Sequence, residues 1–231
     1  MTESTSRPQL IIFDVNETLS DMNPLADGFA ATGAPEHLAA TWFAGLLRDG
    51  FALTVTRQNP AFSLVASSSL RAVLHGVVTD LDGAVERVMA GFSELPLHPD
   101  VVEGVRALRD LGITLVTLSN GAVAVAEGLF ERNGIADAFD RMLSVQDADL
   151  WKPAAGAYDY ALRTCGVDAR DAMLVAVHPW DIHGAHEAGL ATGWLSRDGS
   201  PYPAYFAAAD VEARSLADLA TQLLAMKADR R

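Results

Sequence analysis

Read for its apolar positions, the chain opens on a short unbroken hydrophobic run, Leu10-Ile11-Ile12-Phe13, that ends at Asp14. A run of this length without alternation marks a strand buried on both faces, as in a parallel sheet. Further along, apolar strands and amphipathic helices take turns. A helix over residues 100–111, stopped by Gly112, leads to a strand at 113–118; a helix over 122–133, ended by Gly134, leads to a short strand at 141–145. A helix over 154–165, closed by Gly166, leads to a strand at 173–177 and then a helix over 182–188, and residues 192–195 read as the last core strand. Glycine just past an apolar periodic segment is the usual helix stop. This alternation predicts an α/β fold, a doubly wound parallel sheet with right-handed crossovers.

Between residues 20 and 96 the alternation fails. Pro35 and Glu36 open a helix with Leu38, Trp42, Leu46 and Leu47 near helical spacing, and 61–74 and 81–95 read as two more, without a central strand among them. The expected organisation is an α/β core of residues 8–19 and 97–231 with a helical cap of residues 20–96 inserted after the first strand. Such an insert overhangs the carboxyl end of that strand, where open α/β sheets bind ligands. Lids in that place exclude water and select substrate.

Composition narrows the partners. Half of the 231 residues are hydrophobic and the formal net charge is −13, without a basic run. That disfavours nucleic acid and anionic membrane surfaces, and means that an anionic substrate needs a cation inside the site. The single cysteine, Cys165, has no internal disulfide partner, as expected in a reducing cytoplasm. No apolar run approaches the ~20 residues of a membrane span. Residues 1–8 lack the basic and apolar regions of a signal peptide and read as a loose tail.

Candidate chemistry begins at Asp14. An unpaired buried charge costs several kcal/mol or more, so a carboxylate at a strand end needs a partner or a task. Thr18, four residues on, can hydrogen-bond it; the plain alternative is a helix-capping aspartate. Further short motifs follow: Leu118-Ser119-Asn120-Gly121, Lys152-Pro153 with Tyr158, and Val175-Ala176-Val177-His178-Pro179-Trp180-Asp181 followed by Gly184-Ala185 and Ala188-Gly189. Taken singly, these have plainer readings: a turn at Ser119-Asn120, a solvated Lys152, a helix cap at Asp181, a locally bonded loop histidine at His178, and core packing at Trp180 and Trp42.

Together with Phe13-Asp14-Val15-Asn16-Glu17-Thr18-Leu19, and in this order over nearly the whole chain, the motifs resemble those of the haloacid dehalogenase superfamily, and within it the L-2-haloacid dehalogenases (type II). The resemblance implies a Rossmann-like core and a covalent mechanism. Asp14 would attack carbon and form an ester, splitting one difficult step into two. Ser119 and Asn120 would hold the substrate carboxylate. Lys152 would keep Asp14 ionised, and Asp181 would neutralise Lys152 and place the hydrolytic water. Asn16, Tyr158, His178 and Trp180 would complete the substrate pocket.

Departures from the pattern separate the reactions of the superfamily. Its phosphatases carry an acid–base Asp where this chain has Asn16, and a magnesium-binding Asp where it has Val177. A phosphate ester needs its leaving alkoxide protonated, whereas a halide leaves unaided. Magnesium prefers carboxylate oxygens, and of those only Asp14 and Asp181 remain. The L-2-haloacid enzymes in turn have a halide-binding arginine that falls near Ala34, an aromatic at Asn16, a glycine at Glu17, serines at Ala176 and Val177, and an asparagine at His178. Arg48 and Arg57 are candidate substitutes for the arginine, and His178 a candidate water-activating base or halide donor.

The expected function is release of halide from a small 2-haloacid through an Asp14 ester, with no cofactor and no metal, in a cytoplasmic protein that can form a homodimer. The alternatives are a magnesium-dependent phosphatase or phosphonate hydrolase of the same fold, and a non-catalytic small-anion binding protein.

Overall fold

The computed structural model describes residues 6–226. Its centre is β1 (Leu10–Phe13), hydrogen-bonded in parallel to β2 (Thr114–Ser119) on one side and β4 (Ala172–Ala176) on the other. Strand β3 (Arg141–Ser144) lies beyond β2, and β5 (Ala191–Leu195) and β6 (Val211–Ala213) lie beyond β4, so the parallel sheet runs β3-β2-β1-β4-β5-β6. The chain moves outward from β1 to β3 and then returns to the other side of β1. The crevice between the carboxyl ends of β1 and β4 is therefore the switch point, where sheets of this kind take ligands.

Alternation along each strand divides the core. Leu10, Ile12, Val116, Leu118 and Leu174 face one side; Ile11, Phe13, Leu115, Met173 and Val175 face the other. Helices α5 (Val101–Asp110), α6 (Val123–Arg132) and α9 (Leu216–Ala225) cover the Phe13 face with Val105, Leu129 and Leu219. Helices α7 (Ala155–Cys165) and α8 (Pro179–Glu187) cover the Leu10 face with Ala161 and Ala185. Burial of β1 on both faces explains its unbroken apolar sequence.

Between β1 and α5 come α1 (Pro24–Ala30), α2 (Leu38–Val55), α3 (Phe62–Leu74) and α4 (Leu81–Ser93). They pack around Trp42, whose ring contacts Phe29, Phe43 and Phe92, and whose Nε1–H donates to the Ala66 carbonyl at 3.1 Å. The chain enters and leaves this helical group side by side. Ser20 and Leu97 form an antiparallel bridge, flanked by Asp21 N–H to Pro96 O at 2.8 Å and His98 N–H to Leu19 O at 3.0 Å. The group is seated on the loop after β3: Trp151 stacks on Phe62 at 5.7 Å, and its N–H donates to Thr54 Oγ1 at 3.1 Å. Gly50 makes room for that ring, since a Cβ there would lie 2.2 Å from it.

Several elements differ from expectation. The strand at 191–195 is not the last: β6 pairs with it, and α9 follows. With Val211 and Ala213 buried and Glu212 exposed, β6 has one alternation, too short a pattern to stand out. Helix α1 was not expected, because Leu25 and Phe29 are its only buried residues. The helix opened by Pro35 starts later, at Leu38, and α8 starts earlier, at Pro179, which takes the first-turn position where proline loses no hydrogen bond. Of the expected tail, residues 1–5 lie outside the described residues. Arg7 is tied down, donating to the carbonyls of Leu223 and Leu224 at 3.0 Å, and Pro8 is buried.

Candidate active site

The motifs converge at the β1–β4 crevice. Asp14 follows β1 and is buried, with 4% of its surface exposed. Thr18 reaches back across a tight turn, in which Glu17 takes a left-handed conformation (φ 62°), and donates its hydroxyl to Asp14 Oδ2 at 2.6 Å. Thr18 Oγ1 also accepts the Val177 N–H at 3.1 Å, which ties the β1 turn to the end of β4.

Lys152 is fully buried between two carboxylates. Its Nζ lies 2.9 Å from Asp14 Oδ1 and 2.6 Å from Asp181 Oδ2. Tyr158, in the first turn of α7, donates its hydroxyl to Asp181 Oδ1 at 2.6 Å. Gly184 permits this approach, since a Cβ there would come within 2.6 Å of the Tyr158 hydroxyl. His178, immediately before α8, lies with Nδ1 3.1 Å from Asp14 Oδ2 and Nε2 2.7 Å from Glu17 Oε2. The hydrogen-bonded cluster thus holds three carboxylates (Asp14, Glu17, Asp181) and two basic groups (Lys152, His178).

Burial sets the direction of each titration, and the partners then correct it. Burial alone would raise the Asp14 carboxyl; the Lys152 ammonium, then His178 and Thr18, hold it well below the ordinary carboxylate range. Burial would strip the proton from His178; hydrogen bonds to Asp14 and Glu17 reverse this and push it up to about 10. The Lys152 ammonium is likewise kept charged against burial by Asp14 and Asp181. Asp181 is raised, because burial and the nearby Asp14 charge outweigh the help of Lys152. Tyr158 is raised by burial and by Asp181, so it remains a hydroxyl donor.

Other expected residues have different surroundings. Asn120 spends both ends of its amide on the Lys152 backbone, Oδ1 accepting its N–H at 2.9 Å and Nδ2 donating to its carbonyl at 3.2 Å. It fixes the lysine rather than facing a substrate carboxylate. Ser119 Oγ accepts the Gly121 N–H at 2.9 Å, leaving its own O–H to donate. The Asn16 amide faces the same Gly121 turn. Trp180 packs between His178 and Phe51 of α2, with ring centroids 5.0 Å from each. Trp42 is core, as its plainer reading had it. Neither Arg48 nor Arg57 replaces the missing arginine: Arg48 pairs with Asp49 on the surface, and Arg57 is exposed. Nor is His178 placed as a water-activating base, since each ring nitrogen faces a carboxylate.

Sequence reasoning missed two contributors. Glu17 was noted only as a departure from the family pattern, and nothing local marks it as the partner of a histidine 161 residues away. Arg197, in the loop after β5, donates to the Thr18 carbonyl at 2.8 Å and pairs with Asp100 at 2.7 Å. Glu17 and His178 also line a cavity of about 630 Å³, walled further by Phe43, Trp194 and Arg197.

The donor set does not suit magnesium. Lys152 Nζ fills the position between Asp14 Oδ1 and Asp181 Oδ2 that a shared cation would need, and the Val177 side chain carries no oxygen. Among the described residues, no three His, Cys, Asp or Glu side chains are grouped to hold a metal ion. Nor is any helix among them long and apolar enough to cross a membrane.

A buried carboxylate at the switch point of a Rossmann-like sheet, paired with a lysine that also bridges to a second carboxylate, marks the site, and the comparisons place the chain among hydrolases. Residues 8–189 match the family model of haloacid dehalogenase-like hydrolases, and the chain belongs to that family. It is 28% identical to (S)-2-haloacid dehalogenase 1 of Pseudomonas sp. (strain CBS-3) over 219 residues, covering 92% of this chain and 95% of that one. It is 26% identical to a haloacetate dehalogenase of Moraxella sp. (strain B), over 83% of this chain and 87% of that one. Among solved structures, an L-2-haloacid dehalogenase superposes with a TM-score of 0.89 at 28% identity, covering 96% of this chain and all of the other.

Proposed function

We propose that this protein is a metal-independent 2-haloacid dehalogenase that works through an ester on Asp14. The observation that carries the reading is Lys152, fully buried and bridging Asp14 and Asp181, beside an Asn16 that cannot serve as the acid a phosphoryl transfer would need. Likeness to enzymes named as 2-haloacid and haloacetate dehalogenases supports the substrate class.

Among the described residues, Asp14 Oδ1 has a single side-chain donor, Lys152, while Oδ2 has two, Thr18 and His178. Oδ1 therefore keeps a lone pair for carbon. Its attack forms the Oδ1–Cα bond as the carbon–halogen bond breaks and the halide leaves with the electron pair. Water then attacks Cγ of the ester and gives a proton to Asp181, whose raised carboxyl suits a base. Collapse of the tetrahedral species breaks the Cγ–Oδ1 bond, and the departing alkoxide takes the proton from Asp181. The products are the 2-hydroxy acid, halide and a proton. Residues 20–96 are read as the cap that excludes bulk water from this chemistry.

The test is halide release from chloroacetate, bromoacetate, fluoroacetate and both 2-chloropropionate enantiomers, with and without chelator. Halide released in EDTA supports the reading. Phosphate-ester hydrolysis that needs magnesium, without halide release, overturns it.

A further inference from the structure

Two departures from the family pattern meet in space: Glu17, at the position of a glycine, and His178, at that of an asparagine, are hydrogen-bonded at 2.7 Å, with Asp14 Oδ2 3.1 Å from the other ring nitrogen. A neutral imidazole has one N–H and one lone pair. Whichever tautomer it took, a lone pair would face a carboxylate. Only the imidazolium donates on both sides; His178 is 9% exposed, while the Glu17 side chain is 44% exposed, so the ring sits on the protein side of the pair and the carboxylate on the solvent side. The Glu17 backbone is held for the task, its carbonyl accepting from His98 Nε2 at 2.9 Å.

The other charged groups around the pair are Lys152, on the opposite oxygen of Asp14, and Arg197, Asp21, Glu36 and Asp198 across the cavity. Among the described residues, the His178 side chain hydrogen-bonds only Asp14 and Glu17.

We propose that Glu17 holds His178 as an imidazolium against Asp14 Oδ2, and that this imidazolium and the Thr18 hydroxyl form the oxyanion hole for hydrolysis of the Asp14 ester. The proposal rests on the dehalogenase reading. When Oδ1 is esterified, Oδ2 is the carbonyl oxygen, and water attack on Cγ moves the carbonyl electron pair onto it. Donors already aimed at that oxygen stabilise the second step more than the first, and loss of one such donor typically costs ~10²–10³ in rate. A cation beside the resting nucleophile tempers its attack on carbon. The arrangement thus replaces the arginine missing near Ala34 with a positive charge placed for ester breakdown rather than for halide departure. His178 is a catalytic residue on this reading, and Glu17 a positioning residue.

Rapid-quench reactions with (S)-2-chloropropionate, read by intact protein mass, separate the two steps. Wild-type protein should carry little ester at steady state. Glu17→Gln and His178→Asn should accumulate it, with breakdown slowed about tenfold or more and formation unchanged or faster. Breakdown as fast as wild type in both variants would overturn the proposal, as would slowing confined to ester formation. Nitrogen-15 NMR of the His178 ring gives a readout independent of turnover. At about pH 8, where an ordinary histidine is neutral, both ring nitrogens should be protonated in the wild type and one deprotonated in Glu17→Gln. A neutral His178 in the wild type overturns the pairing itself. A doubly protonated ring in a protein that neither releases halide nor forms an ester overturns the dehalogenase reading and, with it, the oxyanion role.

Discussion

The amide of Asn120 is closed at both ends on the backbone of Lys152, accepting its N–H and donating to its carbonyl. One residue at the end of β2 thereby fixes the loop that carries the site's buried cation. Asn120→Ala should leave two buried backbone groups unpaired and destabilise the fold by about 1–3 kcal/mol. Asn120→Asp should cost more, because a carboxylate oxygen would replace the donor facing the Lys152 carbonyl. Urea unfolding of both variants checks this, and kcat should fall with little change in KM, since the amide does not face substrate.

Lys152 itself couples chemistry to stability. Lys152→Ala leaves Asp14 and Asp181 buried without their shared counter-charge, a loss of roughly 3–5 kcal/mol in comparable pairs. Steady-state halide release should fall by about three orders of magnitude or more, which corresponds to some 4 kcal/mol of transition-state free energy. Comparison of the loss in kcat with the shift in urea midpoint shows how much of the effect lies in the chemical step. A variant that keeps near-normal kcat would remove Lys152 from the mechanism.

Stability should depend on pH at both ends. Asp14 is held below its ordinary carboxyl value of 3.8, so its contribution is present above that value and is lost as pH falls through the lower, folded one. His178 is raised from 6.5 to about 10, so its contribution is complete below 6.5 and is lost as pH rises towards 10. Between those values the wild type should lose stability at up to about 1.4 kcal/mol per pH unit relative to His178→Asn. Urea midpoints measured across that window should converge as pH rises.

Much of this site was legible because its chemistry sits where strands end. Asp14, Ser119 and His178 each lie within a residue or two of a parallel strand's carboxyl end, so the apolar runs that mark the strands also point to them. Lys152, Tyr158 and Asp181 came from motif resemblance, and the structure joins them directly. What stayed hidden depends on contacts between distant segments. Asn120 meets Lys152 across 32 residues and Glu17 meets His178 across 161, separations at which periodicity is silent. Strand β6 and helix α1 were missed for a different reason: each buries only two side chains, too few to set a period.

Chelation separates chemistry at carbon from phosphoryl transfer. With Lys152 placed between Asp14 and Asp181, activity should be unchanged in excess EDTA and not enhanced by added magnesium. Loss of halide release in EDTA, restored by magnesium, would show that the lysine gives way to a cation during turnover.

The central claim is that Asp14 forms and loses a covalent ester, and oxygen labelling tests it most directly. In a single turnover of (S)-2-chloropropionate in heavy-oxygen water, with enzyme in excess, the new oxygen should enter the carboxylate of Asp14. The 2-hydroxy acid should leave with the unlabelled Oδ1, and mass spectrometry of the peptide containing Asp14 should show the label. Heavy oxygen found in the product alone, with Asp14 unlabelled, would mean that water attacks the substrate directly and would contradict the account.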